Sequence, residues 1–280
     1  MPELPEVETL KSDFNTKLKE EVFSSVVFDS EYGNSIKQHA NRDLEAILPG
    51  KKIQEAKRVG KYLVLDLDNS FHLTFHLKIY GRLLIDPLKI PFNDPLRVTF
   101  HLVSGKQIRL IDRSNIASIF LLNDQELAEL KAKHGPDPFS DSVEDFRDQL
   151  KEIPGMVIKE AILKPKVVAG VGNIYADEAL FLSKISPLRK AGSLTDQEAS
   201  ILFTNIKIVL DQGIKYRGTS IESWYDTSGV PGENQNHLKV YGQEGKPCLS
   251  CGNPIKLIEL AGRRTYFCPI DQPEQQLSLF

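Results

Sequence analysis

From Phe71 to Lys78 apolar and polar residues alternate without a break. Phe71, Leu73, Phe75 and Leu77 fall on one side; His72, Thr74, His76 and Lys78 fall on the other. A period of two marks a strand with one buried face, because successive side chains point to opposite sides of the pleat. Tyr62–Leu67, 98–102, 108–111 and 119–122 are further short strand-like runs, separated by Asp-Asn-Ser, Pro-rich or Ser-Gly punctuation. Short strands in series predict an antiparallel β-sandwich. Ahead of them Pro5 suits a helix first turn, and Val7, Leu10, Phe14 and Leu18 recur at helical spacing, so a helix opens the chain.

The period changes further on. A helix over 126–133 ends at Gly135, and Pro136, Asp137, Pro138 and Ser140 read as a linker. Val143, Phe146 and Leu150 then share a helical face, followed by helices over 158–163 and 174–183 and a long one after Ser193 running towards Gly213. Residues 217–236 are rich in Gly, Ser and Asn and predict a mobile loop, while 237–272 is strand-like around a cysteine cluster. The expected architecture is α+β and multidomain. Residues 1–132 form an antiparallel β-sandwich with flanking helices, 133–236 a helical domain, and 237–280 a β-hairpin; 280 residues suffice for more than one core.

Charge and cysteine usage narrow the function classes. No apolar run approaches bilayer length, and the N-terminus lacks a basic segment followed by an apolar one, so neither a membrane span nor a secretory leader is expected. Three cysteines, all between Cys248 and Cys268, argue against a disulfide framework and for reduced thiols in the cytoplasm. The formal net charge of −3 is mildly against nucleic acid. Its distribution is mildly for it: Lys51, Lys52, Lys57, Arg58 and Lys61 cluster early, and Lys239, Lys246, Lys256, Arg263 and Arg264 crowd the C-terminal region.

Four short motifs carry chemistry. Cys248 and Cys251 form a C-x-x-C knuckle, and Cys268 follows after sixteen residues. Zinc wants four ligands on two tight turns; Asp271 stands where a fourth cysteine would complete the set, and a carboxylate oxygen is a legitimate ligand. The alternatives are a hairpin standing on packing alone, or His237 as the fourth ligand. Gly170, Val171 and Gly172 precede Asn173 at a helix entrance, where backbone N–H groups can meet a phosphate, although a lone G-x-G is usually only a tight turn. Lys61 follows Gly60 at a strand start, a place more often occupied by a solvated surface charge. Pro2 becomes a secondary amine if Met1 is removed, with a pKa near ~8 that leaves a useful fraction nucleophilic. Such an amine can attack a sugar C1′ and form an iminium, with Glu3 and Glu6 beside it to handle protons. The plainer reading is that Pro2 and Pro5 merely stiffen a helix entrance.

Together and in this order, the motifs resemble the formamidopyrimidine-DNA glycosylase (Fpg/Nei) family from end to end. The resemblance rests on the run Pro2 to Thr9, on Gly60 to Leu63, on His76 and Leu77 with Gly81 to Leu83, and on Val168 to Leu180. It continues through Val240 to Gly242, Gly262 with Arg263, and Thr265 to Pro269. It implies a β-sandwich, a helix-two-turn-helix domain and a zinc-finger hairpin, with DNA in the cleft between domains. It also implies base-excision repair of oxidised purines (formamidopyrimidine, 8-oxoguanine) by a bifunctional glycosylase and AP lyase, acting as a monomer on damaged DNA in the cytoplasm at the nucleoid. Pro2 would be the nucleophile, Glu3 the proton-handling carboxylate, Glu6 a supporting one, and Lys61 a contact to phosphate and damaged nucleoside. Lys159, Asn173 with Gly172, and Arg263 would grip phosphates. Cys248, Cys251, Cys268 and Asp271 would hold one structural zinc. The loop through Gly218, Thr219 and Ser220 would cover a base flipped out of the stack.

Departures from the family pattern bear on how the lesion is verified. Ile79 replaces a methionine, Lys164 and Pro165 replace Asp-Gln, and Asp-Pro-Arg-Arg/Lys-Phe-Gly reads Asp112, Arg113, Ser114, Asn115, Ile116, Ala117. Ser114 is too short to reach the base opposite the lesion as an arginine does, unless Arg113 takes that place, and Ile116 wedges without aromatic stacking. Weak opposite-base discrimination and slow extrusion from a stacked duplex are therefore expected, with single-stranded or abasic DNA processed comparatively well. The alternative is a non-catalytic or weakly active lesion-binding protein of the same fold.

Overall fold

The computed structural model describes residues 2–86, 93–221 and 224–274. The chain divides into two compact units, Met1–Ala132 with Gly213–Gln235, and Lys133–Gln212 with Asn236–Phe280.

In the first unit the order is α1 (Leu4–Lys17), β1 (Phe23–Phe28), α2 (Asn34–His39), α3 (Leu44–Ile47), β2 (Ile53–Val59), β3 (Tyr62–Leu67), β4 (Phe71–His76), β5 (Arg82–Ile85), β6 (Leu96–Leu102), β7 (Gln107–Ile111), β8 (Ser118–Asn123) and α4 (Asp124–Ala132). Two four-stranded antiparallel sheets, β1-β6-β7-β5 and β2-β3-β4-β8, share one core. Phe100 of the first sheet meets Phe75 of the second edge-on at 5.7 Å between ring centroids. Val7, Leu10, Phe14 and Leu18 bury the predicted face of α1 in the same core. Truncating one such phenylalanine to alanine would cost about 3–5 kcal/mol.

The alternation in β4 has a different outcome on its polar side. Thr74 is fully buried and His72 nearly so, because Leu127 and Leu130 of α4 pack over that face with Val59 and Val64. His72 is accommodated between two carboxylates, Asp66 at 2.6 Å and Asp124 at 3.0 Å. The short helices α2 and α3 lie between β1 and β2.

The second unit contains α5 (Val143–Lys151), α6 (Ile158–Ile162), α7 (Asn173–Leu182), most of α8 (Asp196–Lys215), and the hairpin β9 (Lys256–Leu260) with β10 (Arg263–Phe267). Ser142 caps α5 through the Asp145 N–H. Phe146 of α5 stacks on Phe203 of α8 at 5.1 Å. Two buried carboxylates on the otherwise apolar α7 anchor the C-terminal part of the unit: Glu178 accepts the backbone N–H groups of Lys239, Val240 and Tyr241, and Asp177 accepts that of Tyr266.

The segment 217–236, expected to be mobile and to belong with the helical region, groups up to Gln235 with the first unit and is tied along α1. Asp13 accepts from Arg217 at 2.8 Å and from Thr227 at 2.7 Å, Lys17 donates to Thr227 and Ser228, and Trp224 enters the sandwich core. Glu222 and Ser223 of this segment, and 275–280 at the C-terminus, lie outside the described residues.

Candidate functional site

Two pairings bring the predicted reactive residues to one end of the first unit. Asn15 exchanges hydrogen bonds with the Ala56 backbone in both directions, and Glu8 binds Arg58 at 2.8 Å. Helix α1 therefore runs antiparallel to β2, and its N-terminus lies at the end where β2 delivers Gly60 and Lys61. Across the second sheet Tyr62, His76 and Ser118 form one row. Lys61, the 77–81 turn with Ile79, and the 112–117 turn with Ile116 therefore sit at that same end.

Pro2, Glu3 and Glu6 are all buried there. Glu6 Oε2 accepts the Glu3 backbone N–H at 2.7 Å, the reciprocal contact of a capping box. Glu6 Oε1 accepts the Thr219 N–H at 2.8 Å. The neighbouring Gly218, at φ +92°, leaves no room for a side chain: a Cβ would lie 2.5 Å from Trp224 Nε1 and 2.8 Å from Glu6 Cγ. Spacing alone could not show that Thr219 meets Glu6. Met1, whose removal would expose the Pro2 amine, lies outside the described residues. While Met1 is attached, the Pro2 nitrogen is an amide and has no nucleophilic lone pair.

In the second unit Gly172 is the N-cap of α7 and Asn173 its first helical residue. Asn173 Nδ2 donates to the Arg264 carbonyl at 2.8 Å, which ties the helix start to the β9–β10 hairpin. That hairpin turns through Ala261 and Gly262 and leaves Arg263 exposed. Arg263 and the α7 N-terminus thus form an anion-attracting pair by charge and by helix dipole. Lys159 is placed otherwise than expected. It is 1% exposed, and its ammonium donates to the Arg264 carbonyl at 3.0 Å and Thr265 Oγ1 at 2.8 Å, with Asp177 Oδ1 at 2.7 Å. An ammonium has three donors. Lys159 is therefore a strut beneath the hairpin rather than a hand extended to phosphate. Burial pushes the Asp177 carboxyl up to about 7 against the pull of Lys159 and of the Tyr266 N–H.

The four predicted metal ligands converge. One ligand atom from each of Cys248, Cys251, Cys268 and Asp271 lies within 4.8 Å of every other, with Cys251 Sγ to Cys268 Sγ at 3.4 Å and Cys248 Sγ to Asp271 Oδ2 at 3.0 Å. Tetrahedral zinc with arms of about 2.0–2.3 Å needs ligand atoms roughly 3.4–3.8 Å apart, a spacing these distances bracket. Backbone N–H groups of Ser250 and Asp271 point at the Cys248 and Cys268 sulfurs, as suits thiolates. Burial pushes the Cys268 thiol up to about 12, so its ionisation depends on a cation among the four groups. The donor set fits zinc. His237, the other fourth ligand considered, is not in the cluster.

Sequence reasoning missed Asp112. Fully buried, its carboxylate accepts from Ser114 N and Oγ and from the backbone N–H groups of Ile116 and Ala117, all within 2.6–2.9 Å. An Asp followed by Ser-Asn two residues on is an Asx-turn signal that could have revealed it.

Comparison with known proteins finds three family models along the chain. The formamidopyrimidine-DNA glycosylase N-terminal domain matches residues 1–119, the H2TH domain of the same glycosylase matches 134–224, and the zinc finger found in FPG and IleRS matches 245–273. The formamidopyrimidine-DNA glycosylase of Herpetosiphon aurantiacus is 37% identical over 274 residues, 97% of this chain and 100% of that one. Lactococcus lactis Fpg in complex with DNA containing an abasic site is 32% identical with a TM-score of 0.86, covering 97% of this chain and 99% of the other. A mutant of the same enzyme, bound to DNA containing Fapy-dG, matches at 32% identity and a TM-score of 0.86 over 97% of this chain and 100% of the other.

Proposed function

This chain belongs to the formamidopyrimidine-DNA glycosylase family, and from that premise we propose that it excises oxidised purines from DNA and then cuts the strand through its N-terminal proline. It is a DNA glycosylase of base-excision repair, with damaged or abasic-site DNA as its partner. The observation that carries the strand-cutting step is the buried cluster at Pro2, where Glu6 holds the Glu3 N–H and so fixes the chain beside the nucleophile.

Removal of Met1 leaves Pro2 with a secondary amine of pKa near ~8. Its lone pair attacks C1′, the bond from C1′ to the base nitrogen breaks, and the base leaves with a proton. The C1′–O4′ bond then opens, O4′ takes a proton, and an iminium joins Pro2 to the sugar. Loss of a proton from C2′ expels the 3′ phosphate, and a second elimination expels the 5′ phosphate. Hydrolysis returns the amine. We assign the movement of these protons to Glu3, with Glu6 supporting it. Lys61 contacts the phosphate and nucleoside at the lesion. Arg263 with Gly172 and Asn173 at the α7 N-terminus binds backbone phosphate. Zinc on Cys248, Cys251, Cys268 and Asp271 supplies no chemistry to the reaction; it fixes the knuckles that carry the hairpin.

Among the described residues no helix is long and apolar enough to cross a membrane. The proposed place of action is the nucleoid, as a monomer. A panel of duplexes, each with one oxidised base, tests the reading: base release with phosphate on both ends of the gap supports it. Base release leaving an intact abasic strand would remove the lyase half, and tight binding without either product would favour a lesion-binding protein.

A further inference from the structure

We propose that Tyr80 and Arg113 form a stacking platform for a nucleobase, seated where duplex DNA is opened at a lesion. The proposal rests on the reading of the chain as a DNA glycosylase. It concerns two side chains that the chemistry at Pro2 leaves unused.

The platform is built by two turns locked together. In the 77–81 turn the Gly81 N–H closes on the Leu77 carbonyl at 3.0 Å. A Cβ on Gly81 would come within 2.6 Å of that carbonyl and 3.1 Å of the Ala117 Cβ, so this turn lies directly against the 112–117 turn. The second turn is held from within by the Asp112 carboxylate. Both turns are thereby stiff, yet Ile79 and Ile116 remain 41% and 44% exposed. From the same two turns, the Arg113 guanidinium lies 3.8 Å from the Tyr80 ring centroid, with Arg113 exposed and Tyr80 half-buried.

A guanidinium over an aromatic ring is a weakly hydrated planar cation with an ordered position. The ligand surface that matches a planar cation–aromatic pair flanked by aliphatic wedges is the π-face of an unstacked base. Such stacking tolerates any base, because every base has a π-face. The platform thus supplies the aromatic surface that Ile116 lacks, without requiring a particular base opposite the lesion. Duplex extrusion is then faster than Ser114 and Ile116 alone would allow, and opposite-base discrimination stays weak.

The experiment measures single-turnover excision from duplexes with one lesion opposite each of the four bases, alongside borohydride trapping on single-stranded abasic DNA. Wild type is compared with Arg113→Ala, Arg113→Lys, Tyr80→Ala and Tyr80→Phe. Both alanine variants should lose about tenfold or more in duplex excision, the scale of one base stack, and keep single-strand trapping within about twofold. Arg113→Lys keeps the charge but not the plane and should resemble Arg113→Ala, whereas Tyr80→Phe should resemble wild type. Arg113→Lys at wild-type rate would mean a simple charge contact and overturn the proposal. So would alanine variants within about twofold of wild type on duplex, or an equal loss on single strands. A wild-type protein that neither excises nor traps would instead refute the glycosylase reading itself.

Discussion

Glu6 accepts the Thr219 backbone N–H at 2.8 Å, joining the first turn of the chain to a residue 213 positions later. The other oxygen of the same carboxylate holds the Glu3 N–H. One buried group thus sets both the N-terminus and the base of the 217–236 segment, and both acceptors are needed. Glu6→Gln retains one oxygen and turns an amide donor on the other N–H. An unsatisfied buried donor costs about 1–3 kcal/mol. The variant should therefore melt lower, and its single-turnover excision should fall by more than the stability loss explains. Wild-type excision from a Glu6→Gln protein would remove Glu6 from the site.

Lys159 and Arg263 should separate cleanly in DNA binding. Arg263 is exposed and is the proposed phosphate contact, so Arg263→Ala should lower the slope of log affinity against log salt by about one. Lys159 is buried against Asp177, and Lys159→Met removes its hydrogen bonds to the Arg264 carbonyl and Thr265, which should lower stability in denaturant unfolding. Its salt slope, measured on the fraction still folded, should match wild type. A slope reduced by one would return Lys159 to the phosphate-binding set.

Asp177 gives a pH signature. Its folded value of about 7 lies above the unfolded value of about 3.9, so the native state holds the extra proton between these limits. The contribution of this group to stability falls as pH rises through that window and levels off above it. Asp177→Asn removes the proton exchange. With zinc saturating, the stability difference between wild type and Asp177→Asn should therefore move against wild type across the upper part of that window, up to about 7; an unchanged difference would contradict the assignment.

Metal content tests the cysteine–aspartate site. About one zinc per chain is expected in protein purified without chelator, lost to chelator faster than from an Asp271→Cys variant, because thiolate is the softer ligand. A folded, DNA-binding preparation with less than about a tenth of an equivalent would mean that the hairpin stands on Phe181, Val240, Ile255 and Tyr266 alone.

What the sequence revealed and what it concealed have separate physical causes. Periodicity and turn punctuation located β3, β4, β6, β7 and β8 and the apolar face of α1, since burial is written at every second or every third to fourth residue. The cysteine spacing located the metal ligands because two tight turns bring near neighbours together. Thr219 against Glu6, Lys159 beneath Arg264 and Tyr80 under Arg113 depend on chain returns that no local pattern encodes. Polarity also misleads: a lysine invites a phosphate contact, yet Lys159 is buried against Asp177, the Arg264 carbonyl and Thr265. The glycine- and serine-rich 217–236 segment suggests mobility because its anchors, Glu6 and Asp13, lie far away on the first helix.

Covalent trapping asks whether the Pro2 amine is the nucleophile. The protein is incubated with abasic-site DNA and borohydride, and the adduct is digested and mapped by mass spectrometry. A reduced sugar is expected on the nitrogen of Pro2 in chains that have lost Met1, and no adduct in chains that retain it. An adduct on a lysine, or full strand cleavage by protein shown to retain Met1, would mean that a group other than the Pro2 amine attacks C1′.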